Sequence, residues 1–499
     1  MELTGGQLIG NTLAKAGSRT FTGFNPATGE ALSTIFHEAT GAEIDRAVEL
    51  ADQAFQQYRK VRGAEKAAFL ETIAEEILGL GAVLIETASL ETALPEARIT
   101  GERGRTVGQL RLFAGMLRDG KWENDTTDPA QPDRQPLPKP ALRQVQIPIG
   151  PVAVFGASNF PLAVSVAGGD TVSALAAGCP VVFKAHPAHP ATCELVGRAL
   201  LRAAAKTGMP DGVFSMVHGA SHEVGMQLVQ HPLIKAVGFT GSFRGGKALF
   251  DLAVRRPEPI PVYAEMGSTN PVFFLPGALQ KNAAALAQAF ANSVTQGTGQ
   301  FCTNPGIFVA LNSDKSFVGQ VAEHLNSISV GAMLTSGIRD AFLNGIAHLK
   351  TQEGISSLTH TEDVAPTLLI TTTAHAIDNP GVTEEVFGPS TIGIMADNKA
   401  SVLAFAKSLQ GHLTATIHGT AEDFAEYREL IDILTLKVGR LVFNGFPTGV
   451  EVSPAMVHGG PFPATTDARS TSVGTTAIYR FTRPFCFQDL PGGLEGEKW

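Results

Sequence analysis

Cysteine is scarce in this sequence. The 499 residues include only Cys179, Cys193, Cys302 and Cys486, and no two of them form a CxxC pair. Neither a disulfide framework nor a structural zinc site is expected from this content, which favours a reducing compartment, the cytoplasm. Two close histidine pairs, at 186/189 and 218/222, lack a third ligand at regular spacing, so we predict no metal site.

Excess basic charge and long apolar runs are also missing. With 38 basic against 47 acidic residues the net charge is −9, which argues against nucleic acid as a partner. No run of about 18 apolar residues occurs, and the first residues do not look like a secretory signal, so no membrane partner is expected. Charged residues are only 17% and apolar residues 44%, which indicates a globular, oligomeric protein. We expect the oligomer to be a homodimer or a homotetramer.

Helical periodicity dominates the first part of the sequence. Apolar residues recur at steps of three and four over 44–58 and again over 69–80, so the first hundred residues are predicted to be largely helical. A further helix is predicted over about 95–118. The segment 125–148 is polar and rich in proline, which indicates an extended bridging segment outside the core.

A different pattern begins at Val152. Short apolar runs alternate with helical patterns, which predicts an α/β fold with parallel strands over 152–155, 181–183, 213–217, 236–239 and 262–264. A second α/β block follows over about 270–444, and the tail after Ser470 is predicted to be strand-like around 477–481. Open parallel sheets bind ligands at the carboxyl ends of their strands, so the loops after these strands are candidate binding loops.

Two of those loops carry glycine. Residues 156–161 read GASNFP, which is not the GxGxxG of an ordinary dinucleotide site. Residues 241–246 read GSFRGG and open a helix, where backbone N–H groups and the Ser242 hydroxyl could bind a pyrophosphate. Taken alone, this second loop fits a plain tight turn equally well.

Three side chains could carry out chemistry. Cys302 lies in a glycine-rich loop between a predicted helix, 283–294, and an apolar run, 307–311. It is either a nucleophile or an inert buried cysteine, a description that suits Cys179 and Cys193 better. Glu265 follows a strand and is either a general base or a solvated loop acid. Asn159 is either a donor to an oxyanion or a turn stabiliser, and no GxSxG motif supports a serine nucleophile.

Short motifs in a fixed order connect these residues. They are NPATGE at 25–30, GP at 150–151, NFP at 159–161, Lys184, FTGS at 239–242, Glu265, GQFC at 299–302 and EEVFGP at 384–389. With these motifs the chain resembles the aldehyde dehydrogenase superfamily over nearly its whole length. The resemblance implies NAD(P)-dependent oxidation of an aldehyde to a carboxylic acid through a cysteine thioester.

The resemblance also implies roles for individual residues. Cys302 would be the nucleophile, Glu265 the base, and Asn159 with the Cys302 backbone N–H the oxyanion hole. Lys184 would hold the adenosine ribose and Ser242 the pyrophosphate. The residues expected to bind the cofactor are Phe155, Gly156, Ala157, Ser158, Lys184, His186, Pro187, Ser221, Gly225, Thr240, Gly241, Ser242, and, at the nicotinamide end, Glu385 and Phe387.

NADP is predicted to be accepted and preferred over NAD. NAD-selective relatives carry an acidic residue three positions after the lysine that holds the ribose, and here that position, counted from Lys184, is Pro187. Without a carboxylate there, Lys184 and a protonated His186 or His189 are expected to bind a 2′-phosphate.

The implied fold is that of an aldehyde dehydrogenase. It has a Rossmann-type cofactor domain at 1–124 and 148–264 and an α/β catalytic domain at 265–469. A small bridging or oligomerisation element would be formed by 125–147 and 470–499.

Departures from the superfamily pattern narrow the resemblance. EMGSTNP at 265–271 and GGPFPAT at 459–465 stand where ELGGKNP and PFGGxK are usual. These two stretches resemble those of the superfamily branch that includes 2-oxoglutarate semialdehyde (2,5-dioxopentanoate) dehydrogenases and a bacterial long-chain fatty aldehyde dehydrogenase. The implied substrate is 2,5-dioxopentanoate, with a medium- or long-chain fatty aldehyde as the alternative.

Two other classes of protein compete with this interpretation. One is a catalytically silent dinucleotide-binding oligomer, and the other is an acylating dehydrogenase that passes the acyl group to coenzyme A. The presence of both Cys302 and Glu265 argues against them.

The predicted helix 95–118 also carries Arg98, Arg103, Arg105, Arg111 and Arg118. Because this helix borders the substrate tunnel in the superfamily, one arginine could pair with a substrate carboxylate; the alternative is a solvated basic face.

Overall fold

Strands rather than helices form the start of the chain. A computed structural model describes residues 3–359 and 363–494. It begins with β1 (Gln7–Ile9), β2 (Thr12–Ala14), β3 (Thr20–Asn25) and β4 (Glu30–His37). The prediction of helix is therefore wrong for this segment. The first two strands are only 3 residues long and the β3–β4 hairpin is largely unburied, so neither shows a clear apolar alternation.

Four helices follow, of which the first, second and fourth were predicted and the third was not. They are α1 (Gly41–Tyr58), α2 (Gly63–Gly79), α3 (Gly81–Thr92) and α4 (Glu96–Asp119). Thr40 begins α1 with a capping box, in which its side chain accepts from the Glu43 N–H and the Glu43 side chain accepts in return. Gly120, with a left-handed φ of 70°, ends α4. The helix predicted over 95–118 is confirmed.

A doubly wound parallel sheet occupies the middle of the chain, which confirms the predicted α/β fold. The elements from residue 126 to residue 265 are β5 (Thr126–Asp128), β6 (Leu142–Pro148), β7 (Val152–Phe155), α5 (Gly169–Ala177), β8 (Val181–Lys184), α6 (Pro190–Lys206), β9 (Phe214–Val217), α7 (His222–Gln230), β10 (Ala236–Thr240), α8 (Phe243–Val254) and β11 (Val262–Glu265). The sheet order is β11-β10-β7-β8-β9-β1-β2, in which β7 to β11 are parallel and β1 and β2 antiparallel. The winding reverses between β7 and β10, so their carboxyl ends flank a ligand-binding crevice.

A second large sheet follows. Its part of the chain contains β12 (Val272–Phe274), α9 (Pro276–Thr295), β13 (Ile307–Leu311), α10 (Lys315–Ser327), α11 (Ser336–Lys350), β14 (Ser356–Ser357), β15 (Thr367–Thr372), α12 (Thr373–Asp378), β16 (Ser390–Ala396), α13 (Lys399–Ser408), β17 (His412–His418), α14 (Ala421–Glu426), α15 (Arg428–Thr435) and β18 (Val438–Phe443). The order is β14-β15-β16-β13-β12-β17-β18, and all pairs except β14–β15 are parallel. Among the described residues no helix combines the length and apolarity needed to cross a lipid bilayer.

A small antiparallel sheet joins the remaining segments. Its last strand is β19 (Thr482–Gln488), which pairs with β6, and β6 pairs with β5. The strand predicted around 477–481 is wrong, because a 3-10 helix spans Thr475–Phe481. Ile478 and Phe481 are three residues apart, so in this helix both point into the core of the first sheet.

The two large sheets meet where the candidate chemical groups lie. Glu265 ends β11 of the first sheet, whereas Cys302 lies just before β13 of the second. Asn159, in the loop after β7, donates from Nδ2 to the Gln300 carbonyl at 3.0 Å. Residues from both sheets therefore share one cleft. Cys179 and Cys193 are buried in the core, as predicted.

Candidate active site

The loop that carries Cys302 is held by contacts on both sides. Asn270 donates from Nδ2 to the carbonyls of Cys302 and Asn304, each at 2.9 Å. Gly299 has a φ of 67°, and a Cβ there would lie 2.2 Å from the Gly388 carbonyl oxygen, so only glycine fits. These contacts fix a half-buried thiol between the two sheets.

Glu265, His458 and Ser472 form a hydrogen-bonded chain beside this thiol. His458 Nε2 lies 3.1 Å from Glu265 Oε1 and 3.6 Å from Cys302 Sγ. The Ser472 hydroxyl donates to Glu265 Oε2 at 2.6 Å. The side chains of His458 and Glu265 are only 5% and 6% exposed, so the pair is shielded from bulk water.

This environment determines the protonation of both Glu265 and Cys302. Burial alone raises the pKa of the Glu265 carboxyl, but His458 and the hydrogen bonds from His458 and Ser472 outweigh it, and the pKa lies below its usual value. Burial, and then the negative charge of Glu265, raise the pKa of the Cys302 thiol well above its usual range. The resting site is therefore a carboxylate beside a protonated thiol, an arrangement in which the carboxylate can accept the thiol proton.

The hydrogen bonds assign a proton to His458 Nε2. A carboxylate oxygen only accepts, so the 3.1 Å contact with Glu265 needs an N–H at this atom. The Nδ1 atom is buried and has no partner among the described residues. Donor atoms of Glu265, Cys302 and His458 all lie within 4.8 Å of one another, a grouping that could also bind a metal ion and that the histidine spacings did not reveal.

Asn159 is positioned across from the thiol. Glu102, buried on α4, accepts from the Leu162 N–H at 2.8 Å and so fixes the segment after β7. The Asn159 amide reaches the Gln300 carbonyl, two residues before Cys302. In the part of the chain that the structure describes, the Cys302 backbone N–H has no acceptor. These two N–H donors are suited to stabilising an oxyanion.

A cavity of about 270 Å³ opens at Cys302. Phe160 and Phe301 form an apolar wall, with ring centroids 5.3 Å apart in a T-shaped contact. Of the five arginines on α4, Arg98 and Arg105 line this cavity. The other three are directed elsewhere: Arg103 donates to the Gly81 carbonyl, Arg118 pairs with Glu71, and Arg111 is exposed.

Several residues of the predicted cofactor set lie along the carboxyl edge of the first sheet. Phe155, Gly156 and Thr240 line the same cavity as the thiol. Lys184 ends β8, is half-buried, and has no ion-pair partner within the described residues. Burial lowers its pKa to about 8. Gly225 on α7 packs against Phe155, whose ring would lie 3.1 Å from a Cβ at this position. Lys184 has no ion-pair partner among the described residues and lies at the carboxyl edge of the sheet, so it is suited to binding ribose or phosphate oxygens.

Ser242 caps α8 at the same edge. Its hydroxyl accepts from the Gly245 N–H at 3.2 Å, and the helix that it begins has 12 residues. The Gly241 N–H donates to the Glu265 carbonyl at 3.1 Å, which links this turn to the base. The first N–H groups of a helix have no partner inside the helix, so this end of α8 has the donors that a pyrophosphate requires.

The two histidines after β8 differ from the sequence expectation. His189 is fully buried, and its ring contacts the Ala157 carbonyl at 3.2 Å, so it supports the loop after β7. His186 is half-buried and its Nδ1 accepts from the Ala188 N–H at 3.1 Å, which leaves the proton on Nε2. Burial lowers the pKa of both imidazoles. Protonation, the condition under which an imidazole would add positive charge towards a 2′-phosphate, is therefore disfavoured, and His186 is a neutral N–H donor beside the half-buried Pro187.

Ser221 already has a partner within the protein. It donates to the carboxylate of Glu38, which also lies 3.8 Å from Arg19. Ala157 is buried and Ser158 half-buried in the loop after β7. The Ser221 hydroxyl therefore already donates its proton to a carboxylate of the protein, and towards a cofactor it could only accept a hydrogen bond.

Glu385 and Phe387 line a second, smaller cavity. The Ser268 N–H donates to Glu385 Oε1 at 3.4 Å, and a Cβ on Gly267 would lie 2.3 Å from Glu385 Oε2, so glycine permits this close approach. Glu385 keeps part of its surface exposed, but partial removal of its carboxylate from water raises its pKa to about 7. Its oxygens can accept hydrogen bonds from ribose hydroxyls.

Comparison with known proteins identifies the family. Residues 13–461 match the model of the aldehyde dehydrogenase family. The chain belongs to this family. It is 50% identical, over 99% of its length and 96% of the relative, to alpha-ketoglutaric semialdehyde dehydrogenase 2 of Azospirillum brasilense. It is 46% identical, over 98% of its length and 94% of the relative, to the alpha-ketoglutaric semialdehyde dehydrogenase of Acinetobacter baylyi. A betaine aldehyde dehydrogenase double mutant from Staphylococcus aureus, in complex with NAD+, shares the fold with a TM-score of 0.83 at 19% identity, over 99% of each chain.

The family confirms the fold and the class of enzyme predicted from the sequence. This aldehyde dehydrogenase is an oxidoreductase that acts on aldehydes, and its family uses NAD or NADP. The structure brings Cys302, Glu265 and Asn159 together in one cleft. Sequence reasoning missed His458 and Ser472. The only signal for His458 is that it directly precedes the unusual stretch 459–465, and nothing local points to a partner 156 positions away.

Proposed function

We propose that this aldehyde dehydrogenase oxidises 2,5-dioxopentanoate, the semialdehyde of 2-oxoglutarate, to 2-oxoglutarate. A medium- or long-chain fatty aldehyde is the alternative substrate. The two relatives at 50% and 46% identity, both named for the semialdehyde, support the first choice. The observation that carries the reaction is the contact of Cys302 Sγ with the buried pair of His458 and Glu265.

The first step joins Cys302 to the aldehyde. Glu265 accepts the thiol proton, and the sulfur adds to the aldehyde carbon while the carbonyl electron pair moves to oxygen. Asn159 Nδ2–H and the Cys302 N–H donate to the resulting oxyanion. Removing one donor of this kind typically costs about 10²–10³ in rate.

The cofactor would be held by residues at both edges of the cleft. Lys184, the N-terminus of α8 and Ser242 would hold its ribose and pyrophosphate, whereas Glu385 and Phe387 would hold the nicotinamide ribose and ring. The chemistry that NAD or NADP supplies when bound is acceptance of a hydride. Loss of a hydride from the substrate carbon would re-form the carbonyl and leave Cys302 carrying a thioester.

Glu265 then acts on water. Having released the first proton to solvent, its carboxylate takes a proton from water as the water oxygen adds to the thioester carbon. The carbon–sulfur bond breaks, the sulfur of Cys302 leaves with the bonding pair, and a carboxylic acid is released. His458 acts through Glu265, because it keeps this buried carboxyl ionised.

The proposal includes a division of the chain into three parts. Residues 1–124 and 148–264 form the cofactor-binding domain and 265–469 the catalytic domain, while 125–147 and 470–499 bridge subunits of a homodimer or homotetramer. The separate sheet of β5, β6 and β19 supports the third part. Residues 1–2, 360–362 and 495–499 of these ranges lie outside the described residues. NADP as the preferred cofactor and the cytoplasm as the location complete the proposal.

A substrate panel tests this function. The enzyme is expected to oxidise 2,5-dioxopentanoate with a higher kcat/KM than succinic semialdehyde, glutaraldehyde or long alkanals, and to release 2-oxoglutarate. A higher kcat/KM for a long alkanal would favour the alternative substrate. Turnover that depends on coenzyme A would indicate acyl transfer, and binding of cofactor without oxidation of any aldehyde would indicate a silent protein.

The variant Cys302→Ala is the control for the covalent mechanism. It removes the nucleophile but leaves Lys184 and the α8 N-terminus, so oxidation should disappear while cofactor binding, measured by fluorescence, remains. Appreciable turnover in this variant would contradict a thioester on Cys302.

A further inference from the structure

One side of α4 carries four polar residues in a row. Arg98, Glu102, Arg105 and Gln109 follow one another at steps of four, three and four residues, which places them on the same face of the helix. Arg98, Arg105 and Gln109 line the cavity that contains Cys302. The substrate therefore meets a polar helix face that packs against the aromatic ring of Phe160.

Arg98 and Glu102, the first two of these residues, form an ion pair with each other. Arg98 Nη1 donates to Glu102 Oε2 at 2.8 Å, and Glu102 Oε1 accepts from the backbone N–H groups of Leu162 and Ala163. The Arg98 guanidinium also lies over the Phe160 ring, 4.5 Å from its centroid. The charge of Arg98 is thus used within the protein to build the cavity wall.

Arg105 and Gln109 have no such partners. Arg105 Nε and Gln109 Nε2 are both buried without a hydrogen-bond partner among the described residues, and Gln109 as a whole is only 3% exposed. Arg105 forms no ion pair in the same part of the chain. Buried donors in native proteins nearly always have an acceptor. Two unpaired donors one helical turn apart, on the wall of a substrate cavity, point to acceptors supplied by the substrate.

We propose that Arg105 binds the carboxylate, and Gln109 the adjacent 2-oxo oxygen, of a substrate whose aldehyde carbon lies at Cys302. This assignment rests on the proposed function and names the residues that select its substrate. A guanidinium matches the two oxygens of a carboxylate, and an amide N–H suits a ketone oxygen. The two acceptors are neighbours on a 2-oxo acid, as the two donors are neighbours on α4, with Cβ atoms about 5–6 Å apart.

The same pair disfavours aldehydes without a polar end. A long alkanal would fill the cavity beside Phe160 and Phe301 but would leave both donors buried and unpaired. Binding sites built around such donors reject analogues that lack the acceptor. Arg105 also lies over Phe160, with its Cζ 5.6 Å from the ring centroid, so the charge is held against the apolar wall that would contact the methylene groups.

Three aldehydes separate the two contacts: 2,5-dioxopentanoate, 5-oxopentanoate without the 2-oxo group, and pentanal without either polar group. Arg105→Met is expected to lower the ratio of kcat/KM for 2,5-dioxopentanoate to that for pentanal on the order of 10–100-fold, mainly through KM. Gln109→Leu is expected to lower the ratio of 2,5-dioxopentanoate to 5-oxopentanoate about 2–10-fold. Arg111→Met, on the exposed part of the same helix, is the matched control and should keep all ratios.

Binding of the product gives a readout without turnover. Calorimetric affinity for 2-oxoglutarate should fall with Arg105→Met and stay the same with Arg111→Met. Arg105→Lys keeps the charge without the planar fork, so it should give an intermediate ratio even if the methionine variant folds poorly. If the wild type prefers the semialdehyde but the Arg105 variants keep the wild-type ratio of kcat/KM for 2,5-dioxopentanoate to that for pentanal, the assignment of Arg105 is overturned and the proposed function stands. A wild type that prefers pentanal overturns the proposed function and the assignment together.

Discussion

His458 Nε2 lies 3.1 Å from Glu265 Oε1, and the same nitrogen lies 3.6 Å from the sulfur of Cys302. A carboxyl buried as deeply as Glu265 would otherwise have a raised pKa and be protonated over more of the pH range. A protonated acid cannot take a proton from water. The imidazole therefore widens the pH range over which Glu265 is ionised, the form in which we propose that it acts as the base.

The first prediction concerns His458→Gln. Glutamine keeps an N–H donor but removes the imidazole that lowers the Glu265 pKa, so burial dominates and this pKa rises. Because the base acts in its ionised form, the acid limb of the pH profile of thioester hydrolysis should move to higher pH. Single-turnover measurements across pH test this, with Ser472→Ala as a comparison that should shift the limb less, in the same direction. An unmoved limb would show that His458 does not control Glu265.

The second prediction concerns Glu265→Gln. This variant should release a burst of reduced cofactor and then stall, because the thioester forms but water is not activated, and kcat should fall by about 10²–10⁴. The substitution removes the carboxylate that accepts the thiol proton, but it also removes the negative charge that raises the pKa of the Cys302 thiol. Because these two effects oppose each other, the thioester still forms and the burst persists. Mass spectrometry of the quenched variant should show an acyl adduct on the peptide containing Cys302. Absence of both burst and adduct would assign Glu265 an essential role before the thioester.

The third prediction concerns the thiol itself. The Cys302 pKa is raised first by burial and then by the negative charge of Glu265, so Glu265→Gln should move the midpoint of alkylation by iodoacetamide to lower pH. Burial remains, and the midpoint should therefore stay above that of an exposed cysteine. Mass spectrometry of the peptide containing Cys302 separates this signal from the exposed Cys486. The exposed Cys486 of the same variant is the internal control, and an equal shift of its midpoint would refute the assigned cause.

Local signals explain what could be predicted from the sequence. The periodicity of α4 and the alternation of strands and helices from Val152 are properties of neighbouring residues, and both gave correct elements. The helix that begins after Ser242 was also predicted, whereas the contact of Ser242 with a pyrophosphate stays a prediction. Cys302 and Glu265 were singled out because their motifs are short and continuous in the chain, and their catalytic roles stay a prediction.

Contacts between distant segments explain what could not be predicted. His458 acquires its meaning only beside Cys302 and Glu265, which precede it by more than a hundred positions. The unpaired state of Arg105 and Gln109 depends on which neighbours satisfy Arg98, and no spacing along a helix reveals that. The neutral state of His186 could not be predicted for the same reason, because burial is a property of the folded chain.

The fourth prediction concerns the choice of cofactor. Lys184 has no ion-pair partner among the described residues, and His186 offers Nε2–H as a neutral donor, so the two can bind a 2′-phosphate together. Pro187 supplies no carboxylate to repel it, and the nearby acid Glu38 accepts from Ser221. The ratio of kcat/KM for NADP to that for NAD is therefore expected to exceed one with a saturating aldehyde.

Substitution at Pro187 tests the cause of this preference. Pro187→Glu places a negative charge beside the 2′-phosphate and should lower the NADP/NAD ratio about tenfold to a hundredfold. Pro187→Gln changes the loop in the same way without the charge, so its ratio should stay near that of the wild type. Equal losses in both variants would mean that proline only shapes the loop. A strong NAD preference in the wild type would mean that another group excludes the phosphate, such as Glu38, whose charge acts on Lys184. Fluorescence titration of both cofactors with each variant then distinguishes a change in affinity from a change in turnover. If the carboxylate at position 187 acts by repelling the 2′-phosphate, the change must lie in the affinity for NADP.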